Sequence, residues 1–170
     1  MRKLLMLVAV MTAAAALAAS GAMAASGSPH FIKNATSASL SGANLVCKFK
    51  EAGLASGAVE TVSCSATESI TYECVNGGGK NPSASNKKTF VTTVSKSGTF
   101  TADKNGNIVG SLTLSPASAA SLGFACPPGQ TVTLVSVTYS NVTVTDTTSG
   151  ASASLGGPFT YTNPSAPPVR

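Results

Sequence analysis

From about residue 30 onward apolar and polar residues mostly alternate, the two-residue period of half-buried strands rather than the 3.6-residue period of helices. Residues 31–40 and 45–51 read as the first two strands, the second placing Leu45, Cys47 and Phe49 on one face and Lys48 and Lys50 on the other. A turn over 52–57 leads to a third run, 59–66, with Val62 and Cys64 on one face, and Ile70, Tyr72 and Cys74 alternate in a fourth. The segment 76–86 is too rich in Gly and Asn for helix or strand and is the longest predicted loop, with pairing resuming at Lys87.

Further along, 89–95 and 99–103 read as strands separated by Lys96-Ser97-Gly98. A three-residue turn, Lys104-Asn105-Gly106, with Gly106 left-handed, predicts a hairpin opposing Ala102 to Ile108 and Phe100 to Gly110. It gathers Phe100, Ala102, Ile108, Leu112 and Leu114 on one face. A two-residue Asn-Gly turn would put Phe100 opposite Ser111 and use the apolar residues less well. Ser115-Pro116, then Ala117, Ala119, Ala120 and Leu122, then Gly123, predict a two-turn helix with a cap, a first-position Pro and a terminal Gly.

The run 131–145 is the strongest β signal, yet its phase changes. Val132 and Leu134 share one face, Val135, Val137 and Tyr139 the other, and Val142 and Val144 return to the first. Either this strand is buried on both sides, or bulges or a turn near Ser136 and Ser140-Asn141 reset it. Residues 159–161 read as an edge strand. Eight to ten short strands with regular turns indicate an all-β sandwich or barrel, and the favoured reading is an antiparallel β-sandwich of immunoglobulin-like architecture with the strand order open.

The start of the chain does not share this pattern. Met1-Arg2-Lys3 supplies positive charge, 4–19 an uncharged apolar run and Ala22-Met23-Ala24 a small-residue cleavage site, so 1–24 reads as a secretory signal peptide. Ala dominates the second half of the run and no positive stop-transfer cluster follows, which disfavours an anchor, and no later stretch is long enough to span a bilayer. The expected product is one β-sandwich domain, 25–163, with a flexible Pro-rich tail, 164–170, released as a secreted, extracellular protein. Leu, Ile, Val and Phe make up 30 of residues 25–170, a lean core, but only 15 of those residues are charged, which argues against disorder.

Losing Arg2 and Lys3 would lower the net charge from +5 to about +3. Eight of the remaining cations are Lys and the only Arg is Arg170, so the planar forks that grip phosphate or read guanine are missing and nucleic-acid binding is not expected. Four Cys in an exported chain imply two disulfides with three possible connectivities. A hairpin of 45–51 with 59–66, centred near Ala55 and Ser56, would face Cys47 toward Cys64 and leave Cys74 for Cys126. Paired hooks for zinc are absent from the Cys spacings, so no metal and no cofactor are expected.

A series of short motifs runs through the chain: Lys50-Glu51-Ala52-Gly53-Leu54, Tyr72-Glu73-Cys74-Val75-Asn76-Gly77-Gly78-Gly79, Asn81-Pro82, Asn86-Lys87, Asn105-Gly106, Cys126-Pro127-Pro128-Gly129-Gln130, Tyr139-Ser140-Asn141-Val142 and Asp146-Thr147-Thr148. Together they resemble a group of small secreted actinobacterial proteins, mostly called hypothetical. In that group the Cys of the Tyr-x-Cys-Val-Asn segment and the Cys before Pro-Pro-Gly are regular features, so the resemblance supports Cys74 with Cys126 and makes Cys47 and Cys64 an additional pair. It implies a fold and a bacterial, extracellular compartment, and no activity.

Chemistry-bearing residues are few. Asn76-Gly77-Gly78-Gly79-Lys80 mimics a phosphate loop, but Cys74 and Asn81 stand where that motif needs Gly and Ser or Thr. Asp103, Asn105 and Asn107 mimic a calcium loop, but Ile108 replaces its Gly and Leu114 its closing Glu. Tyr72-x-Cys74 resembles a tyrosine corner, but the chain has no Trp and Cys47 is too near, so the motif adds little to the sandwich reading. His30, beside Ser28 and Pro29 near the chain end, is a poor base for a triad, and Glu51, Glu60, Glu68, Glu73, Asp103 and Asp146 read as solvent-facing charges. No catalysis is expected.

Charge segregation supplies the one candidate site. Between Glu73 and Asp103 there is no acid, while Lys80, Lys87, Lys88 and Lys96 are present. With Asn76 they predict a Lys-, Asn- and Gly-rich surface for an anionic envelope polymer or a protein. The expectation is a non-catalytic binding or structural protein of the bacterial exterior. The alternative is an inhibitor of secreted hydrolases presenting the Cys126-Pro127-Pro128-Gly129 loop.

Overall fold

In a computed structural model the structure describes residues 27–77 and 86–167. The predicted signal peptide, Lys80 and the end of the Pro-rich tail lie outside them. Among the described residues nine strands, β1 (His30–Phe31), β2 (Ser37–Ser41), β3 (Asn44–Ala52), β4 (Val59–Asn76), β5 (Lys87–Thr101), β6 (Ile108–Leu114), β7 (Gln130–Asp146), β8 (Ser152–Gly156) and β9 (Phe159–Thr162), form two antiparallel sheets. In the first sheet β3 is flanked by β6 on one edge and by β1 and β2 on the other. In the second the order is β5-β4-β7, with β8 and β9 sharing the far edge of β7. The sheets enclose a core of Leu45, Phe49, Val62, Ile70, Ile108, Leu112, Leu114, Val137, Tyr139, Val142 and Val144.

The expected sandwich is present, but its strands are longer and its connections differ. Two expected runs fuse into the 18-residue β4, and the expected turn at Lys96-Ser97-Gly98 is interior to the 15-residue β5. Gly98 marks close packing there rather than a turn: a Cβ on it would lie 3.1 Å from both Leu112 Cδ2 and Phe100 Cε2. Residues 31–40 break at a short 3-10 turn, Lys33–Ala35, and β8 had no counterpart in the pattern. Asn105-Gly106 makes a tight turn with Gly106 at φ +72°, closed by Asp103 N–H donating to Asn107 O at 2.8 Å. It carries the chain from one sheet to the other instead of closing a hairpin. Phe100, Ala102, Ile108, Leu112 and Leu114 still meet, now across the sandwich, where Phe49 and Phe100 pack edge to face at 5.1 Å.

Residues 115–124 do not form the expected two-turn helix. A single turn is capped by Ser118, whose Oγ accepts from Ser121 N–H at 3.1 Å, and ends at left-handed Gly123. Both disulfides have the expected pairing, Cys47–Cys64 and Cys74–Cys126. The hairpin invoked for the first does not exist: β3 and β4 belong to different sheets, so Cys47–Cys64 ties the two layers through the centre of the core.

The phase changes in β7 are two bulges, near the positions the sequence pointed to. Register against β4 shifts once between the pairs Ser65–Thr143 and Thr67–Ser140, where Asn141 adopts φ +51°, and again between Thr71–Ser136 and Tyr72–Leu134. Each inserts one extra residue on β7 and flips its parity, so Leu134, then Val137 and Tyr139, then Val142 and Val144 all point inward.

A test follows from the inter-sheet turn. Beyond its positive φ, Gly106 has no room for a side chain, since a Cβ would lie 2.1 Å from Leu54 O, and Leu54 N–H donates to Gly106 O at 3.1 Å. Gly106→Ala should lower unfolding free energy by about 2 kcal/mol or more in urea titration. A loss below about 0.5 kcal/mol, the usual range for an unconstrained surface position, would remove this interlock from the account.

Candidate functional site

Asn76 closes β4 opposite Gln130, Lys87 opens β5 opposite Glu73, and Lys88 lies opposite Tyr72. These residues share the end of the second sheet that Cys74–Cys126 ties down. Lys88 is exposed, with Nζ 4.8 Å above the centroid of the Phe90 ring, and Phe90 packs on Phe124 at 6.0 Å, which stacks on Tyr72 at 6.1 Å. Lys96 does not join them. Eight residues along an extended strand put it roughly 26 Å from Lys88, beyond the Debye length of physiological salt. The same end presents Pro127, Pro128 and Gly129, all exposed, in a turn with Gly129 at φ +81° and Gln130 N–H donating to Pro127 O at 3.1 Å.

The acids correct the sequence reading. Only Asp103 is exposed, its Oδ1 accepting from Asn105 N–H at 2.8 Å and Asn107 N–H at 2.9 Å, so turn amides occupy the oxygen that a calcium loop would offer. Glu51, Glu60, Glu68, Glu73 and Asp146 are buried. Glu51, Glu60 and Asp146 converge from β3, β4 and β7, and Glu51 Oε2, Glu60 Oε2 and Asp146 Oδ2 have no hydrogen-bond partner. A proton retained on Glu51 or Glu60 would let it donate to Asp146 and supply a missing donor. Burial, then the charge of Asp146, raises Glu51 from 4.5 to about 7 and Glu60 in the same direction. Burial also opposes ionisation of Asp146, but donors from Ser149, Thr148 and Glu60 hold it below its usual range. Burial raises Glu68 as well, partly offset by Ala117 N–H, which donates to both oxygens at 3.2 and 3.3 Å. Tyr72 Oη donates to Ala117 O at 2.7 Å, a partner 45 residues downstream, so it is not a tyrosine corner.

With Glu51 and Asp146 wholly buried, this cluster meets no substrate in the folded state. No group of His, Cys, Asp or Glu among the described residues is arranged to hold a metal ion. His30 is exposed in β1 opposite Ala52, its Nδ1 2.8 Å from Ser28 O.

The outer face of the second sheet was not singled out from sequence. Outward positions of β4 pair with those of β5 and β7, and those of β7 with β8 and β9, in rows: Ser97-Ser63-Thr145-Ser152, Ser95-Ser65-Thr143-Ser154, Thr93-Thr67-Ser140, Val91-Ser69-Thr138-Thr160 and Thr89-Thr71-Ser136-Thr162. Thr99-Thr61 and Thr101-Val59 extend the array at one end. Apart from Val59 and Val91 every position of these rows is Ser or Thr, and the next row on the same face, Lys87-Glu73-Thr133, brings in the first charges. Neighbouring hydroxyls pair at 2.9 Å (Ser65–Thr143), 2.8 Å (Thr71–Thr89), 3.0 Å (Thr138–Thr160) and 3.1 Å (Thr145–Ser152). The outer face of the first sheet, by contrast, carries Lys48 and Lys50. A period-2 count of Ser and Thr over 59–71 and 89–101 would have found the array.

No protein-family model matches this chain, and no curated protein or solved structure is significantly similar to it.

The carboxyl cluster makes stability depend on pH. Between 4.5 and about 7 the folded state holds a proton on Glu51 that the unfolded chain has released, so stability falls as pH rises through this window. The full shift corresponds to about 3 kcal/mol. Urea midpoints should decline from pH 5 to pH 7, and Glu51→Gln should flatten the decline. Stability that rises over this interval, or an unchanged slope in the variant, would contradict a protonated Glu51.

Proposed function

We propose that this is a secreted, non-catalytic binding protein of the bacterial exterior, which holds an anionic envelope polymer at the Lys87–Lys88 end of β5. The supporting observation is the disulfide Cys74–Cys126, which ties Asn76, Lys87 and Lys88 to one end of the longest strand pair. Two disulfides fit an oxidising compartment, and no helix among the described residues is long and apolar enough to cross a membrane. The resemblance to small secreted actinobacterial proteins points to the same compartment. Lys80 belongs to this reading by sequence, and Lys96 leaves it.

Charge reversal at Lys80 and Lys88 with Lys87→Gln, which avoids a like charge opposite the buried Glu73, should abolish retention on isolated anionic cell walls while leaving the melting temperature unchanged within about 2 °C. Wild-type retention should weaken as NaCl rises from 50 to 500 mM. Retention that ignores both salt and charge reversal would exclude this end as the site. The second reading, an inhibitor of secreted hydrolases, is favoured by the exposed Pro127–Gly129 turn and its disulfide anchor. Saturable inhibition lost on replacing Pro127 and Pro128 would select it.

A further inference from the structure

The hydroxyl array on the second sheet is a surface of a different kind from the Lys end. It is four strands wide, and its rows repeat at roughly 4.8 Å across strands and 6.7 Å along them. The five rows carry no charge in a chain whose net charge is +5, and the Lys87-Glu73-Thr133 row bounds them at one end. Each hydroxyl carries one donor and two lone pairs, so a bonded pair such as Ser65–Thr143 keeps one donor and three lone pairs for a ligand. The face therefore offers donors and acceptors together, repeated, and no ion.

That chemistry discriminates among partners. A protein interface is centred on aromatic, Met or Arg anchors and depleted in Ser, and the array has no such anchor. A polyanion finds no cation within the rows, and Lys87 just beyond them lies opposite the acidic Glu73. A crystalline lattice needs a flat platform, whereas adjacent strands rotate by about 20–25°, turning the face through roughly 60–75° over its width. A flexible neutral chain bearing many hydroxyls matches each row in turn and can follow the twist.

We infer that the outer face formed by β4, β5 and β7 to β9 is a binding surface for an uncharged polysaccharide chain. Each hydroxyl contact replaces one with water and contributes little by itself, so binding depends on many repeats along one polymer. Free monosaccharides should not compete at millimolar concentration. Retention should also be indifferent to salt, which separates this surface from the Lys end.

Affinity gel electrophoresis in gels containing dextran, mannan or hydroxyethylcellulose, at 50 and 500 mM NaCl, provides the test. The whole secreted chain should be retarded by at least one of these polymers equally at both salt concentrations. The triple variant Thr93→Val, Thr138→Val, Thr143→Val keeps the β-branched shape and removes three hydroxyls. Its retardation should fall at least tenfold, whereas charge reversal at Lys88, on the opposite face of β5, should leave it intact. Ser95→Glu with Ser154→Glu, on the same row but exposed, serves as a second variant should the first melt early, and should lose retardation likewise. No retardation by any of the three polymers would overturn the inference, as would undiminished binding by a folded variant. So would a dimer, seen by sedimentation velocity, that the Glu variant dissociates, since the face would then belong to a second copy. Inhibition of ice recrystallisation without polymer retardation would give the array to a water lattice instead.

Discussion

The pairing of β4 with β7, interrupted by two one-residue bulges, is the constraint on which the rest of the molecule depends. Antiparallel register decides which side of a sheet every residue occupies, and a slip of one residue exchanges the two sides. Here the two shifts bring Leu134, Val137, Tyr139, Val142 and Val144 to one interior although their sequence parity alternates. The same shifts keep Ser136, Thr138, Ser140, Thr143 and Thr145 outside, in step with the hydroxyls of β4. Core, buried carboxyls and hydroxyl face are consequences of one register.

The interior is lean in large apolar side chains and compensates with covalent and polar ties. Cys47–Cys64 crosses between the sheets in the middle of the core, closing a loop of 17 residues, and Cys74–Cys126 closes one of 52. On the loop-entropy model these contribute about 3 and about 4 kcal/mol. Tyr139 Oη donates to Ala43 O at 2.9 Å across the sandwich, and Glu68 with Tyr72 fixes the irregular segment at Ala117. Buried carboxyls would be a liability if ionised. Sharing protons among Glu51, Glu60 and Asp146 lets the fold keep them at the expense of stability toward neutral pH.

Much of the fold was legible in the sequence because strand parity is a local signal. The core faces of β3 and β6, the left-handed Gly106 and the need for resets in β7 could be read from alternation and turn chemistry, whereas the disulfide pairing came out right although the hairpin that suggested it does not exist. What failed was sheet membership. Nothing local distinguishes a hairpin from a connection between layers, so 45–51 and 59–66 were paired with each other, and the Asn105-Gly106 turn was read as a hairpin. Gly98 read as a turn because its packing against Leu112 and Phe100 is a tertiary fact. Burial of the acids is not legible locally, because it depends on each carboxyl's neighbours on other strands. At the candidate site, Asn76, Lys87 and Lys88 lie at one end of the second sheet, with Lys87 and Lys88 on opposite faces of β5, while Lys96 is separated from them by the unbroken length of that strand.

Since the register of β4 on β7 carries the whole account, cross-strand nuclear Overhauser contacts in the disulfide-bonded protein test it most directly. Backbone contacts should link Ser65 with Thr143 and, after the bulge at Asn141, Thr67 with Ser140 and Thr71 with Ser136. Contacts of Thr67 with Asn141, the partner an unbroken register would give, would contradict the account and scatter the hydroxyl rows with it.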